Sequence, residues 1–255
     1  MSIIGSNIKK LHFFHRSGPM PCPYLDGRVE RKLFTRLPAN ADQSQRLNAD
    51  LSKAGFRRSH DILYKPVCPG CKACIPVRIP IEQFAPNRSM RRNLARNSDL
   101  IAEMRAPRAG AEDFALFHRY QRARHGESDM ARMSEADYVS MIEEGAASAR
   151  LMTFREPPIS RRPNQLAAVL LLDALDDGFS AVYSFYEPSG YRQGLGIYAI
   201  LALVERARIQ GLPYVYLGYW INGSEKMAYK ARFKPLEALG QNGWQTLSAS
   251  GSASP

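Results

Sequence analysis

No cysteine follows Cys74 in this chain of 255 residues, and only Cys22, Cys68 and Cys71 precede it. A disulfide scaffold spreads its cysteines through a small secreted domain, so that class is excluded. No apolar run reaches transmembrane length, and residues 1–10 lack the apolar stretch of a signal peptide. Reduced cysteines without an export signal predict a cytoplasmic protein. The sequence also lacks a hydrolytic triad signature, an HExxH zinc helix, a P-loop and any internal repeat. Acid is short as well: 24 Asp and Glu stand against 35 Lys and Arg, giving a net charge of +11 and a pI near 9.7. That balance points to a polyanion or a membrane surface rather than to a neutral metabolite. Hydrophobic residues at 45% suffice for one large or two modest cores.

Three cysteines sit within seven residues, Cys68-Pro-Gly-Cys71-Lys-Ala-Cys74, and Cys22 stands apart in Pro-Cys-Pro-Tyr. Such clustering reads as a ligand set for an iron–sulfur cluster or zinc; reduced, half-buried thiols in a loop are the alternative. Around this loop, Asn40 is placed to cap a helix carrying Leu47 and Leu51, with Gly55 ending it. Residues 62–64 read as extended, and alternating Ile75, Val77, Ile79 and Ile81 predict a half-buried strand with Arg78 on its other face. After Pro86, Arg88, Arg92 and Arg96 recur every four residues and stack along one side of a helix, either as a solvated face or as a phosphate-contacting ridge.

Breaker residues at 104–110 mark a boundary. Beyond it come one helix with Phe114, Phe117 and Tyr120, and another opened by a Ser134/Asp137 capping box. Strands follow at 149–154, 166–174 and 179–186, then a helix over 195–210 closed by Gly211, then a strand at 213–217. The exposed loop 155–164 holds three prolines, and the Ser- and Gly-rich end is low in complexity. The order predicts an α/β fold with a central sheet. Gly194 and Gly196 open the long helix and can let backbone N–H groups approach a phosphate or carbonyl oxygen, although glycine there is often only a turn.

Cys22-Pro-Tyr-Leu25, Arg28-Val-Glu-Arg31, Gly55-Phe-Arg-Arg-Ser59, the cysteine loop with Pro76-Val-Arg78, Tyr214-Val-Tyr-Leu-Gly-Tyr-Trp-Ile221 and Lys226-Met-Ala-Tyr-Lys-Ala-Arg-Phe233 together resemble the bacterial aminoacyl-tRNA–protein transferases of the arginyltransferase family, in its leucyl-transferring branch. The resemblance covers residues 10–240. It implies an N-terminal family domain over 1–105 and a catalytic domain over 106–243 with the fold of GCN5-related N-acetyltransferases; the low-complexity composition predicts a disordered tail over 244–255. In that fold the sheet splays between two central strands, and the donor's reacting carbonyl lies in the gap. The activity implied is transfer of leucine from leucyl-tRNA to proteins beginning with Asp or Glu, which marks them for N-degron degradation, with no cofactor needed for transfer and no membrane partner. Where the family commonly has serine before the long helix, this chain reads Gln193-Gly194-Leu195-Gly196, which puts donor contacts there in question. The tri-cysteine loop also differs from the paired cysteines of the eukaryotic arginyl branch.

Aminolysis of an aminoacyl ester needs positioning and carbonyl polarisation more than a strong base. Tyr219, Lys226, Tyr229 and Lys230 follow the last core strand. Tyr229 is the candidate proton donor to the leaving oxygen, and Lys226 or Lys230 can hold tRNA phosphates or form a solvated face. Arg57, Arg58 and Arg78 are candidates to clamp an acidic acceptor residue, because arginine binds a carboxylate bidentately; surface pairing is the alternative for each. Glu187 is placed to orient the incoming amine. Tyr183, Phe185 and Tyr216 are candidate linings for a leucine pocket, or plain core. Rival readings are an arginyl donor, an acetyl-CoA-dependent acetyltransferase, and a non-catalytic iron–sulfur RNA-binding regulator.

Overall fold

The computed structural model describes residues 13–247. Short strands β1 (His15–Arg16), β2 (Met20–Pro21) and β3 (Val29–Glu30) lead into β4 (Lys32–Arg36). Helix α1 (Ala41–Lys53) begins where Asn40 Oδ1 accepts from the Gln43 amide at 3.0 Å, the cap that its sequence announces. β5 (Arg57–Ser59) and β6 (Ile62–Pro66) complete a four-stranded sheet in the order β1-β4-β6-β5. Leu47 of α1 packs there with Phe56 and Leu63.

The rest of the chain adds β7 (Cys74–Pro80), α2 (Arg88–Arg96), β8 (Ile101–Arg105), α3 (Ala111–His125), α4 (Glu135–Glu143), β9 (Ala149–Arg155), β10 (Leu166–Ala174) and β11 (Gly178–Tyr186). It ends with α5 (Leu195–Ile209), β12 (Tyr214–Ile221), α6 (Glu225–Ala228), β13 (Glu237–Gly240) and β14 (Gly243–Thr246). These strands form one eight-stranded sheet in the order β14-β13-β7-β12-β11-β10-β9-β8. β10 is buried over nearly its whole length, because core lies on both of its faces. Leu170 and Leu172 belong to the cluster shared with Leu203 and Val204 of α5, whereas Val169 and Leu171 join Phe117 and Tyr138 of α3 and α4. The Ser134/Asp137 capping box of α4 is formed in both directions. This is the mixed α/β architecture that the sequence predicts.

One junction is open. β11 and β12 are parallel partners only from Gly178↔Tyr214 to Ser180↔Tyr216, yet the strands continue to Tyr186 and Ile221. β12 instead keeps its pairing with β7 through Ile221↔Cys74, across a register shift between Tyr216 and Gly218. The sheet therefore splays at its centre. Among the described residues, no helix is long and apolar enough to cross a membrane.

The small sheet is locked to the large one by a buried ion pair. Arg58 Nε donates to both oxygens of Asp173 at 3.0 and 2.8 Å, and both side chains are 1% exposed. Asn48 Nδ2 adds a second tie to Ser148 Oγ at 3.1 Å. The irregular tail expected from residue 244 does not start there. Gly243–Thr246 pairs with β13, and the Trp244 indole donates to Lys53 O at 3.0 Å while stacking beside Arg78. Burial of a tryptophan on a cation outweighs the local composition. The expectation for 248–255 lies outside the described residues.

Removing one partner of a buried pair strands the other charge, so Asp173→Ala is expected to lower the unfolding free energy by about 3–5 kcal/mol. The exposed Lys53–Asp176 pair, at 2.6 Å, serves as the control: Asp176→Ala is expected to cost less than about 1 kcal/mol. Urea denaturation of the two variants beside the parent checks both values.

Candidate active site

Arg57, leaving the small sheet on β5, reaches into the gap between β11 and β12. Its Nη1 donates to Ser180 Oγ at 2.8 Å, and its Nη2 donates to the carbonyl of Ala181, just past the last paired residue of β11. Across the gap the guanidinium lies against Gly218, where an added Cβ would stand 2.5 Å from Arg57 Nε. Gly218 also has φ +76°, so both its backbone and its neighbour require glycine. Among the described residues, no carboxylate lies within ion-pair distance of Arg57.

A second cation stands nearby. Beyond β12 and α6, a 3-10 turn at Tyr229–Arg232 buries Lys230, whose Nζ donates to Tyr219 O at 2.6 Å. Burial, and then repulsion from Arg57, lowers the Lys230 pKa to about 7. Tyr229 is shifted the other way: burial raises its pKa, and Arg57 only partly opposes it. The buried Tyr219 hydroxyl lies 2.9 Å from Gly55 O and 3.1 Å from Tyr64 O, which ties the gap to the small sheet. Burial keeps Tyr24 protonated too, with Tyr64 and Cys74 adding to the shift. Arg57, Tyr219, Tyr229 and Lys230, drawn from distant parts of the sequence, thus share one neighbourhood with Tyr24 and Tyr64. Arg57 is half-buried, and among the described residues it has no carboxylate partner, so this centre favours an anion.

The other arginines expected to clamp an acceptor are already engaged. Arg58 is the buried partner of Asp173. Arg78 donates to Glu237 Oε2 at 2.7 Å and lies over the Tyr214 ring at 3.4 Å. Glu187 is buried at the end of β11, where it accepts from Arg119 Nη2 at 3.1 Å and from the Ser189 amide at 3.2 Å. Tyr183 and Phe185 pack with Phe117, whereas Tyr216 packs against Trp244, so these three do not line one pocket.

Helix α2 covers the start of α5. Asn93 Nδ2 donates to Gly194 O at 3.1 Å, Asn97 Nδ2 to Gln193 O at 3.2 Å, and Arg96 Nη1 to Gln193 Oε1 at 2.8 Å. Gly194 is left-handed, with φ +73°, and any Cβ there would collide with Asn93; Gly196 is pressed against the edge of Tyr186. In this arrangement both glycines admit neighbouring side chains. Arg192 anchors the same loop by bidentate pairs to Asp99 and Glu156. Arg88, Arg92 and Arg96 are exposed, and among the described residues none has a carboxylate within ion-pair distance. Arg232 lies beside this ridge, donating to Ser89 Oγ at 3.3 Å.

Cys22, Cys68, Cys71 and Cys74 are free and half-buried. Burial raises the Cys74 thiol to about 12, with Cys68, Cys22 and Cys71 each adding to the shift, so the four share one region. Cys71 is drawn the other way by a hydrogen bond from the Ala73 backbone and by Arg28 at 3.3 Å. Thiols are suitable donors for zinc or an iron–sulfur cluster. Among the described residues, no group of three His, Cys, Asp or Glu side chains is placed to hold a metal ion.

A family model described as the N terminus of arginine-tRNA-protein transferase matches residues 20–92, and one described as its C terminus matches residues 112–240. The chain belongs to the arginine-tRNA-protein transferase family. Among its curated relatives, the aspartate/glutamate leucyltransferase of Rhodospirillum rubrum is 50% identical over 93% of this chain and 94% of that protein. The aspartate/glutamate leucyltransferase of Paramagnetospirillum magneticum is 48% identical over 93% of this chain and 95% of that protein. Solved structures are less similar: the C-terminal domain of a putative lysylphosphatidylglycerol synthetase from Agrobacterium fabrum matches with a TM-score of 0.45 and 14% identity, over 67% of this chain and 50% of that one. For this family member, the residues that sequence reasoning missed at the gap are Tyr24, Tyr64, Ser180 and Gly218. Only Gly218 carried a local signal, as a lone glycine inside an apolar strand.

Lys230 has a folded pKa of about 7 against an ordinary 10.5. Between those values the unfolded chain binds the proton and the folded chain does not, so stability rises with pH across that window and its full burial cost remains below it. Lys230→Met is expected to remove this rise. Unfolding free energies measured from pH 6.5 to pH 10 for parent and variant, with the difference taken at each pH, check the sign.

Proposed function

We propose that this chain transfers leucine from leucyl-tRNA to proteins whose N-terminal residue is Asp or Glu, marking them for degradation by the N-degron route. Membership of the family supplies the reaction class, and the names of its curated relatives supply the donor and the acceptor. The observation that carries the acceptor is Arg57, a guanidinium held in the strand gap without a carboxylate partner among the described residues. An acceptor's acidic side chain completes it, with the α-amino group left facing the ester. Residues 1–105 then contribute the acceptor clamp and residues 106–243 the acyl-transfer gap. The exposed arginines at 88, 92 and 96 suit the phosphate backbone of the donor. The cysteine cluster, whose Cys74 is the first residue of β7, serves as a brace for this junction.

The chemistry suits the side chains present. An α-amino group has a pKa of roughly 8 and is partly neutral at cytoplasmic pH. It attacks the ester carbonyl, a C–N bond forms, and the C–O bond to the terminal ribose breaks. The amine's proton has a receiver in Lys230, which is half neutral near pH 7. The ribose oxygen takes a proton from Tyr229, which burial keeps protonated. No covalent intermediate with the protein is needed, in keeping with the missing triad.

The acetyl-CoA reading is disfavoured by the family, whose models and curated relatives are aminoacyl transferases.

Peptides beginning with Asp, Glu or Ala, incubated with tRNA carrying labelled leucine or arginine, test the proposal. Label is expected to move from leucyl-tRNA to the Asp and Glu peptides alone. Transfer from arginyl-tRNA instead would overturn the donor, and transfer to the Ala peptide would overturn the acceptor.

A further inference from the structure

One cluster adjoining the gap is not used by this chemistry. Tyr120 and His125 on α3 meet edge-on with ring centroids 5.9 Å apart, and Tyr186 of β11 lies 4.8 Å from Tyr120. The Arg124 guanidinium stands 5.9 Å from the Tyr186 ring. Burial, Lys226 and Arg124 all lower the pKa of His125, which places both cations beside a neutral imidazole. Arg124 and Lys226 are exposed, and among the described residues neither has a carboxylate within ion-pair distance. Tyr186 also packs against Gly196 at the start of α5 and interacts electrostatically with Tyr229. The cluster therefore continues the wall of the gap outward from Tyr229.

Aromatic faces joined to unpaired cations are the means by which proteins hold single-stranded nucleotides: the rings stack on a base and the cations take a phosphate. We propose that Tyr120, Arg124, His125, Tyr186 and Lys226 seat the 3′-terminal nucleotide of the donor tRNA, with the base against Tyr186 and its phosphate on Arg124 and Lys226. This rests on the proposed leucyl-tRNA donor. Its position fits the task, because the esterified ribose of that nucleotide must reach Tyr229.

The double variant Arg124→Ala/Lys226→Ala changes two exposed side chains and leaves the core intact. Binding of a fluorescent CCA trinucleotide, read by anisotropy, requires no transfer and is expected to weaken about tenfold or more. In the transfer assay, the KM for leucyl-tRNA is expected to rise about tenfold while the KM for the acceptor peptide is unchanged. Arg124→Lys, which keeps the charge, is expected to retain most of the binding. A parent protein that does not bind the trinucleotide, a variant that binds it equally well, or a rise in acceptor KM instead of donor KM would overturn the assignment. A parent that binds CCA but transfers no leucine would refute the donor reading and leave the nucleotide seat standing.

Discussion

An arginine with no acid beside it among the described residues, held where a sheet opens, is the constraint on which the rest of the centre depends. Arg57 sits at the end of the short β11–β12 pairing and satisfies two of its N–H groups on Ser180 and Ala181. Its charge is not matched by any described carboxylate, and the neighbourhood shows the consequence. Lys230 is pushed toward neutrality by its own burial, with Arg57 adding to the shift, and Gly218 has no side chain where Arg57 passes. Tyr24, Tyr219 and Tyr229 surround the cation as protonated phenols that do not neutralise it. On the proposed function, the acceptor's carboxylate completes this site.

The contrast with the other interior arginines sharpens the point. Arg58 is closed by Asp173, Arg78 by Glu237, and Arg192 by Asp99 and Glu156. Each joins parts of the chain: the small sheet to the large one, β7 to β13, and the loop before α5 to its surroundings. These pairs hold the frame rigid around the gap. The same loop brings α2, and with it the arginine ridge, against the entrance to α5.

Much of this frame was legible in the sequence because it follows local rules. Asn40, the Ser134/Asp137 box, the alternation at 75–81 and the apolar run at 166–174 each declare their element. The arginine spacing at 88–96 declared its exposed face for the same reason. The gap was less legible because its parts meet only in three dimensions. Arg57 and Arg58 are adjacent, and sequence alone gives them one role; the alternation of β5 sends one into the gap and the other onto Asp173. The glycines at 194 and 196 read as a phosphate cradle until Asn93 and Tyr186, from elsewhere in the chain, are seen to occupy the space beside them. Trp244 escaped notice because its partner, Arg78, is distant in sequence.

The account turns on Arg57 as the receptor for the acceptor's negative charge. The most direct measurement compares kcat/KM for two peptides that differ only by Asp or Asn at the N terminus, in the parent and in Arg57→Met, with equal thermal stability verified first. The parent is expected to prefer Asp strongly, and the variant to lose that preference while keeping its KM for leucyl-tRNA. An Arg57→Met protein that still prefers Asp over Asn to the parent's degree would contradict the account.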